Sequence, residues 1–226
     1  MIDSKQRLND DQESLRVAMD GTLANLWTAL PAIIISVDYA KQTLTAQPTI
    51  TGNATDKNGN VTNVKMPLLV DVPFQSFGGA SFVVTMPNLE GSECLIVFSS
   101  RCIDGWWLNG GVQPQIDQRM HDLSDGMAVI GFNSQKRLIP NYSTSAVEVR
   151  TFDGVTKIGL VAGTVTITAA NTHITGALQV DGTIASNVSV TAPNVIGSTN
   201  VTFGGKSGVG HTHTSTTAGT PTSAPI

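Results

Sequence analysis

Two histidines one residue apart, His211 and His213, have the type and spacing that metal chemistry requires. Residues i and i+2 of an extended segment point to the same side, so both imidazoles could face one axis. Metal ions in proteins take about four to six ligands, and the last carboxylate side chains before the pair, Asp153 and Asp181, lie far upstream. A single chain therefore cannot easily complete a site here.

Three chains meeting at an axis would supply six imidazole nitrogens from His211 and His213. Six nitrogens suit an octahedral ion such as iron(II), nickel or cobalt, and they disfavour structural zinc, which is usually tetrahedral. The alternative is a pair of solvated histidines in a polar Thr/Ser tail. The His-x-His pair alone does not decide between these two interpretations.

The sequence lacks residues that the known enzyme motifs require. Gly205, His211 and His213 match the opening of the cupin motif Gly-x5-His-x-His, but Thr217 and Ala218 stand where that motif requires Glu. The sequence also contains no GxSxG or HExxH motif and no phosphate-binding loop. We therefore predict that the protein is not an enzyme.

A second polar cluster comprises Asp117, His121, Asp122 and Asp125. These side chains could form a metal site or an acid–base site. Short polar residues ahead of an apolar run are more often loop and cap residues, which hydrogen-bond to nearby backbone. We expect a structural role for this cluster.

The composition limits the class of protein. Charged residues make up 13% of the 226 residues, about half the usual share. The net charge of −4 and the lack of a basic stripe argue against nucleic-acid binding. Cys94 and Cys102 fit no zinc or redox spacing and are expected to be reduced, in or near a core. The polar N-terminus and the short apolar run at 32–36 predict a soluble protein made in the cytoplasm.

The first 30 residues have helical spacing. One apolar face is predicted to comprise Leu15, Met19, Leu23, Leu26 and Leu30, and Pro31 is expected to end the helix. Such a helix must pack either on its own domain or on a neighbouring subunit.

Residues 31–112 are predicted to form a small barrel of the OB-fold type. The expected strands are 32–38, 42–51, 65–77, 81–87 and 93–100, with turns at 56–60 and 77–81. A nucleic-acid-binding OB-fold needs a basic groove with stacking aromatics, which this segment lacks. We expect a scaffold, with Trp106 and Trp107 closing the barrel.

A connector at 113–146 precedes a repetitive ribbon at 147–203 and a tip at 204–226. Short runs of Val and Ile alternating with Thr, Ser and Asn predict a β-solenoid. Its apolar stripe, formed by Val165, Ile167, Leu178, Val180, Val188 and Val190, is too narrow for a core of its own. The pattern therefore indicates an obligate oligomer more firmly than it indicates a trimer.

The order of these parts resembles the baseplate central spike, or membrane-piercing, proteins of contractile-tailed bacteriophages. The resemblance is carried by GSECLIVFSSRCIDGWW (91–107), HDLSDGMAVIGF (121–132), HITGALQVDGTIAS (173–186) and the terminal HTH. It implies an all-β fold: an N-terminal helix, an OB-fold barrel and an intertwined trimeric β-helix with a metal-bound tip.

The resemblance also implies function and partners. A homotrimer would pierce the host outer membrane on sheath contraction, with one iron ion held at its tip by His211 and His213 of three chains. It would sit in the virion baseplate on hub and tail tube proteins, with a tip-capping protein as a further candidate partner, and would bind no nucleic acid. The rival interpretations are a metal-free trimeric tail fibre that binds a receptor and, less well supported, a metalloenzyme.

Overall fold

The computed structural model describes residues 11–24 and 26–209, so His211 and His213 lie outside the described residues. The chain divides into two bodies, Met1–Ala170 and Asn171–Ile226, and each is described by itself. Strands dominate the first body, as an all-β fold requires. No helix in the described ranges has the length and apolarity that crossing a membrane requires.

Helix α1 spans Asp11–Ala24 and is shorter than its apolar spacing predicts. Arg16 lies one turn from both Glu13 and Asp20 and forms ion pairs with each, at 2.7 and 2.5 Å. None of the helix's described residues is buried. The next element, strand β1, begins at Ala29, so Leu30 belongs to a strand and not to the helix. Pairing of Leu30 with Ile96 of the barrel outweighs the helical spacing.

Five strands form the barrel sheet, in the order β5-β2-β1-β8-β9. Their bounds are β1 Ala29–Asp38, β2 Thr43–Pro48, β5 Leu69–Pro73, β8 Glu93–Phe98 and β9 Gly126–Ile130. All neighbouring strands are antiparallel. An irregularity in β1 between Ile34 and Ser36 bends the strand, which helps the sheet to curl.

The two edge strands of this sheet meet. A parallel bridge joins Phe74, just after β5, to Ala128 of β9, and the Gln75 amide donates to the Ala128 carbonyl at 2.9 Å. The sheet thus curls into an OB-like half-barrel around one apolar core. The core comprises Ala32, Ile34, Leu44, Ala46, Leu69, Val72, Leu89, Cys94, Ile96, Phe98, Ala128 and Ile130. Gly126 is required where β9 crosses β8, because a Cβ there would lie 2.8 Å from the Ile96 side chain.

The barrel extends beyond the expected boundary at residue 112. The run at 81–87 contributes only β7 (Val83–Val84), which pairs with β6 (Phe77–Gly78) outside the barrel sheet. The fifth barrel strand is β9, which the sequence analysis assigned to the connector. The alternation of side chains between the two faces covers only residues 126–130, which is short. Only the pairing of this segment with β8 identifies it as a barrel strand.

Two smaller elements lie outside the barrel sheet. Hairpin β3 (Gly52–Thr55) and β4 (Val61–Val64) turns at the expected residues 56–60. Helix α2 (Asp104–Asn109) carries Trp106 and Trp107. Both tryptophans are exposed, so the expectation that they close the barrel is wrong. Cys94 and Cys102 are both free, with Cys94 in the core.

A separate antiparallel sheet follows the barrel in the first body. It comprises β10 (Val147–Arg150), β11 (Lys157–Val161) and β12 (Thr164–Thr168), in that order. Turns lie at the predicted Asp-Gly and Ala-Gly pairs, where Gly154 and Gly163 each have φ of +77°. These strands match the start of the predicted ribbon.

The second body differs from the predicted solenoid. Residues 171–201 form no strand, although the sequence predicts several there. The described part of this body has one short hairpin, β13 (Thr202–Phe203) and β14 (Lys206–Ser207), which turns at the expected Gly204–Gly205. A strand needs a hydrogen-bonded neighbour, and alternation in the sequence does not supply one.

Ile96→Ala should strongly destabilise the barrel, because Ile96 is 0% exposed at the centre of the core. We expect the free energy of unfolding to fall by about 2–5 kcal/mol. Urea unfolding followed by tryptophan fluorescence measures it. Ile35→Ala is the matched control, because Ile35 is 51% exposed on the same sheet. Equal losses in the two variants would contradict the assigned core.

Candidate functional site

The acidic cluster before β9 has the expected structural role. Asp122 Oδ1 accepts hydrogen bonds from the Ser124 amide (2.9 Å) and hydroxyl (2.6 Å), which caps a 3₁₀ turn at Leu123–Asp125. These bonds, the hydroxyl first, lower the pKa of Asp122. Asp117 accepts from the Arg119 amide at 2.8 Å, and His121 Nδ1 lies 3.1 Å from the Trp27 carbonyl oxygen.

Asp125 is different, because it is 0% exposed. Arg119 binds both of its oxygens, with Nε 2.7 Å from Oδ2 and Nη2 3.0 Å from Oδ1. The Ile103 amide donates to the same carboxylate at 2.9 Å. This arrangement connects the segment before α2 to the 3₁₀ turn. Sequence analysis missed Arg119, and only the fold brings it to Asp125.

The geometry of Cys102, Asp104 and Asp125 superficially suits a metal ion. Their ligand atoms lie within 4.8 Å of one another, the only such group among the described residues. Arg119 already pairs with both carboxylates, since it binds Asp125 and its Nη2 lies 2.8 Å from Asp104 Oδ2. Its hydrogen bond lowers the pKa of Asp104, and the carboxylates, Asp125 first, raise the pKa of Arg119. We interpret the group as a structural ion-pair network.

The sheet β10–β12 carries an unusual surface. Cross-strand register places Val147, Leu160 and Val165 in one row. A second row of the same face contains Val149, Ile158 and Ile167. These six side chains, here called the apolar face, are each between 44% and 68% exposed. A contiguous apolar surface of this kind marks an interaction site on most soluble proteins.

The opposite face of the same sheet carries charged side chains, and the chain covers part of it. Glu148 forms ion pairs with Lys157 (2.8 Å) and Arg150 (3.2 Å), and these partners, Lys157 first, lower the pKa of Glu148. Arg150 also donates to the carbonyl oxygens of Pro140 (2.7 Å) and Asn141 (2.8 Å). The side chains of Glu148 and Arg150 are only 9% and 11% exposed. The usual arrangement of a one-sided antiparallel sheet is thus reversed.

The structure brings some of the predicted functional residues together and leaves others apart. Val165 and Ile167, predicted for the apolar stripe, lie in the apolar face. The stripe residues Leu178, Val180, Val188 and Val190 are exposed in the second body, outside any strand. The sequence analysis missed Val147, Val149, Ile158 and Leu160. The alternation of these apolar residues with other residues within 147–152 and 156–163 was the signal that could have identified them. The metal site at His211 and His213 stays a prediction.

Arg119→Ala should strongly destabilise the first body, because it leaves Asp125 buried without its charge partner. We expect the free energy of unfolding to fall by about 3 kcal/mol, measured by urea unfolding. Arg101→Ala is the matched control. The Arg101 side chain is exposed and donates to the neighbouring Ser100 carbonyl, so this variant should change stability by less than about 0.5 kcal/mol. Similar losses in both variants would contradict the ion-pair network.

Acidification should destabilise the sheet β10–β12 through Glu148. The folded-state pKa of Glu148 lies below its ordinary value of 4.5. Such a carboxyl stabilises the fold above its unfolded-state pKa and loses that effect as pH falls through its folded-state pKa. We expect the thermal midpoint to fall between about pH 5 and about pH 3, and Glu148→Gln to flatten this decline. Circular dichroism measures both. Glu90→Gln, at an exposed barrel position, should leave the decline unchanged; an identical decline in Glu148→Gln would contradict the assignment.

Comparison with known proteins agrees with the barrel. Residues 30–131 match the family model described as the phage protein Gp138 N-terminal domain. The matched segment runs from the second residue of β1 to the residue after β9 and so coincides with the barrel sheet. No curated protein shows a significant match to the chain. The family match indicates a phage structural protein that is associated with the virion.

Proposed function

We propose that this chain is the central spike protein of a contractile phage tail baseplate. In this proposal it forms a homotrimer that pierces the host outer membrane when the sheath contracts. The observation that carries the proposal is the apolar face of β10–β12, which the chain leaves open although it covers Glu148 and Arg150 on the opposite face. The match of the barrel to a phage protein domain supports the same class of protein.

The apolar face supplies enough energy for an obligate assembly. Removing its six partly exposed side chains from water would contribute on the order of 10 kcal/mol per chain. Part of that gain offsets the entropy lost on association. Copies arranged around a common axis can bury these faces against one another in a closed assembly. The number three comes from the resemblance to spike proteins and from the six nitrogens that three His-x-His pairs supply.

The second body is the segment that the trimer would complete. Leu178, Val180, Val188 and Val190 are exposed, and residues 171–201 form no strand within one chain. In the proposed needle, neighbouring chains supply the missing strand partners and cover these side chains. The ribbon thereby becomes a β-helix only in the assembly.

The proposed tip holds one iron ion through His211 and His213 of three chains. The donor chemistry fits, because six neutral imidazoles satisfy an octahedral ion and no other ligand is needed. The ion would join three Gly/Ser/Thr-rich ends and so make the tip rigid. It would have a structural role and no catalytic one.

The proposed location is the virion baseplate. The OB-like barrels would sit on the hub and tail tube proteins, and the needle would cross the outer membrane by force without inserting into lipid. A tip-capping protein is a further possible partner. We propose no enzymatic activity and no nucleic-acid binding.

The native mass of the untagged protein, measured before and after acid treatment, tests the assembly and its metal together. We expect three chains plus one iron ion. Acid should release the ion as the histidines protonate, at a pH offset below their ordinary pKa of about 6.5 by the strength of metal binding. His211→Ala combined with His213→Ala should give a metal-free trimer. Stoichiometric metal retained in that variant would contradict the ligands, and a monomeric native protein would overturn the spike.

Val165→Glu tests whether the apolar face forms the interface, because it places a charge at the β12 end of one row of that face. We expect the trimer to dissociate, as measured by native mass, while circular dichroism shows a folded barrel. Thr166→Glu is the matched control, since the neighbouring residue points to the opposite face of the same strand. A trimeric Val165→Glu protein would exclude the apolar face as the interface.

A further inference from the structure

A strap of residues 131–146 runs from the end of β9 to β10 and contains no helix or strand. Its first attachment is to the barrel at the start of β8. The Ser134 hydroxyl donates to Glu93 Oε1 at 2.8 Å, and its amide donates to Glu93 Oε2. Arg137 donates to the Gly91 carbonyl oxygen and to the Ser92 hydroxyl, the latter at 3.3 Å.

The same arginine reaches the second sheet. The guanidinium carbon of Arg137 lies 5.4 Å from the ring centroid of Phe152, which follows β10. A guanidinium over an aromatic face is attracted by the ring's quadrupole, and its edge remains available for hydrogen bonds. Arg137 therefore contacts the barrel through its edge and the end of β10 through its face.

Arg150 attaches the strap from the other side. Its two terminal nitrogens donate to the carbonyl oxygens of Pro140 and Asn141 in the middle of the strap. The strap buries little apolar surface: Ile139 is partly buried, and its other large apolar side chains, Phe132, Leu138 and Tyr142, are exposed. The polar contacts of Arg137, Arg150 and Ser134 therefore hold it in place more than apolar burial does.

We infer that Arg137 and Arg150 form a two-arginine clasp that couples the barrel to the sheet β10–β12. Arg137 contacts both elements directly, and Arg150 prevents the intervening strap from lifting. When these contacts are formed, a force applied along the chain is transmitted from the barrel to the sheet, because no flexible connection absorbs it. This mechanical role rests on the proposed spike function, whereas the clasp itself does not.

Hydrogen exchange of the full-length protein, measured by mass spectrometry, tests the clasp with the variants Arg137→Ala and Arg137→Lys. Both should speed exchange in residues 134–146 at least about tenfold. Lysine cannot replace Arg137 here, because one ammonium group cannot contact Gly91, Ser92 and the Phe152 ring together. Strands β1 and β8 should exchange as in the native protein.

Arg101→Ala is the matched control, since it removes the same charge from an exposed position and should leave the strap protected. Exchange in Arg137→Ala equal to that in Arg101→Ala would overturn the inference. Faster exchange spread evenly into the barrel core would overturn it as well, because Arg137 would then support the fold generally. Neither result depends on the oligomeric state, so failure of the clasp and failure of the spike proposal are distinguishable.

Discussion

The structure depends on one reversal of the usual hydrophobic arrangement. The sheet β10–β12 has a charged face, built on Glu148, Arg150 and Lys157, and an apolar face of six aliphatic side chains. The strap covers part of the charged face, around Arg150, whereas the apolar face is left in water. Exposed apolar area is unfavourable in proportion to its size, so this sheet is energetically incomplete as a single chain. The proposal of an assembly follows from that imbalance.

The barrel, by contrast, is complete by itself. Its core lies inside one curled sheet whose edges meet at Phe74 and Ala128, and its buried carboxylate, Asp125, is satisfied by Arg119 and the Ile103 amide. Buried charge is tolerated only when such partners are in place. The part of the chain that matches a phage protein domain is thus also the part that needs no partner to close its core.

These two parts explain the role of the strap between them. A barrel with a closed core and a sheet with an open apolar face could be joined by a loose loop, and their relative movement would then absorb any applied force. Arginine contacts hold the strap against both. A guanidinium suits this task because it offers several donors and a flat face at the same time.

Local patterns determined much of this architecture. Alternating residues predicted β1, β2, β5, β8 and the strands β10–β12, and Gly and Asp marked their turns, because a strand's side-chain period and a turn's backbone needs are properties of adjacent residues. The sequence also predicts a stripe too narrow for its own core, and a metal site at the histidine pair that stays a prediction. Tertiary structure alone decided that Leu30 joins a strand, that β9 completes the barrel and that Arg119 reaches Asp125. It also decided that the strap contacts Arg150 on the charged face. Each of these outcomes depends on contacts between separate segments of the chain, which no local period encodes.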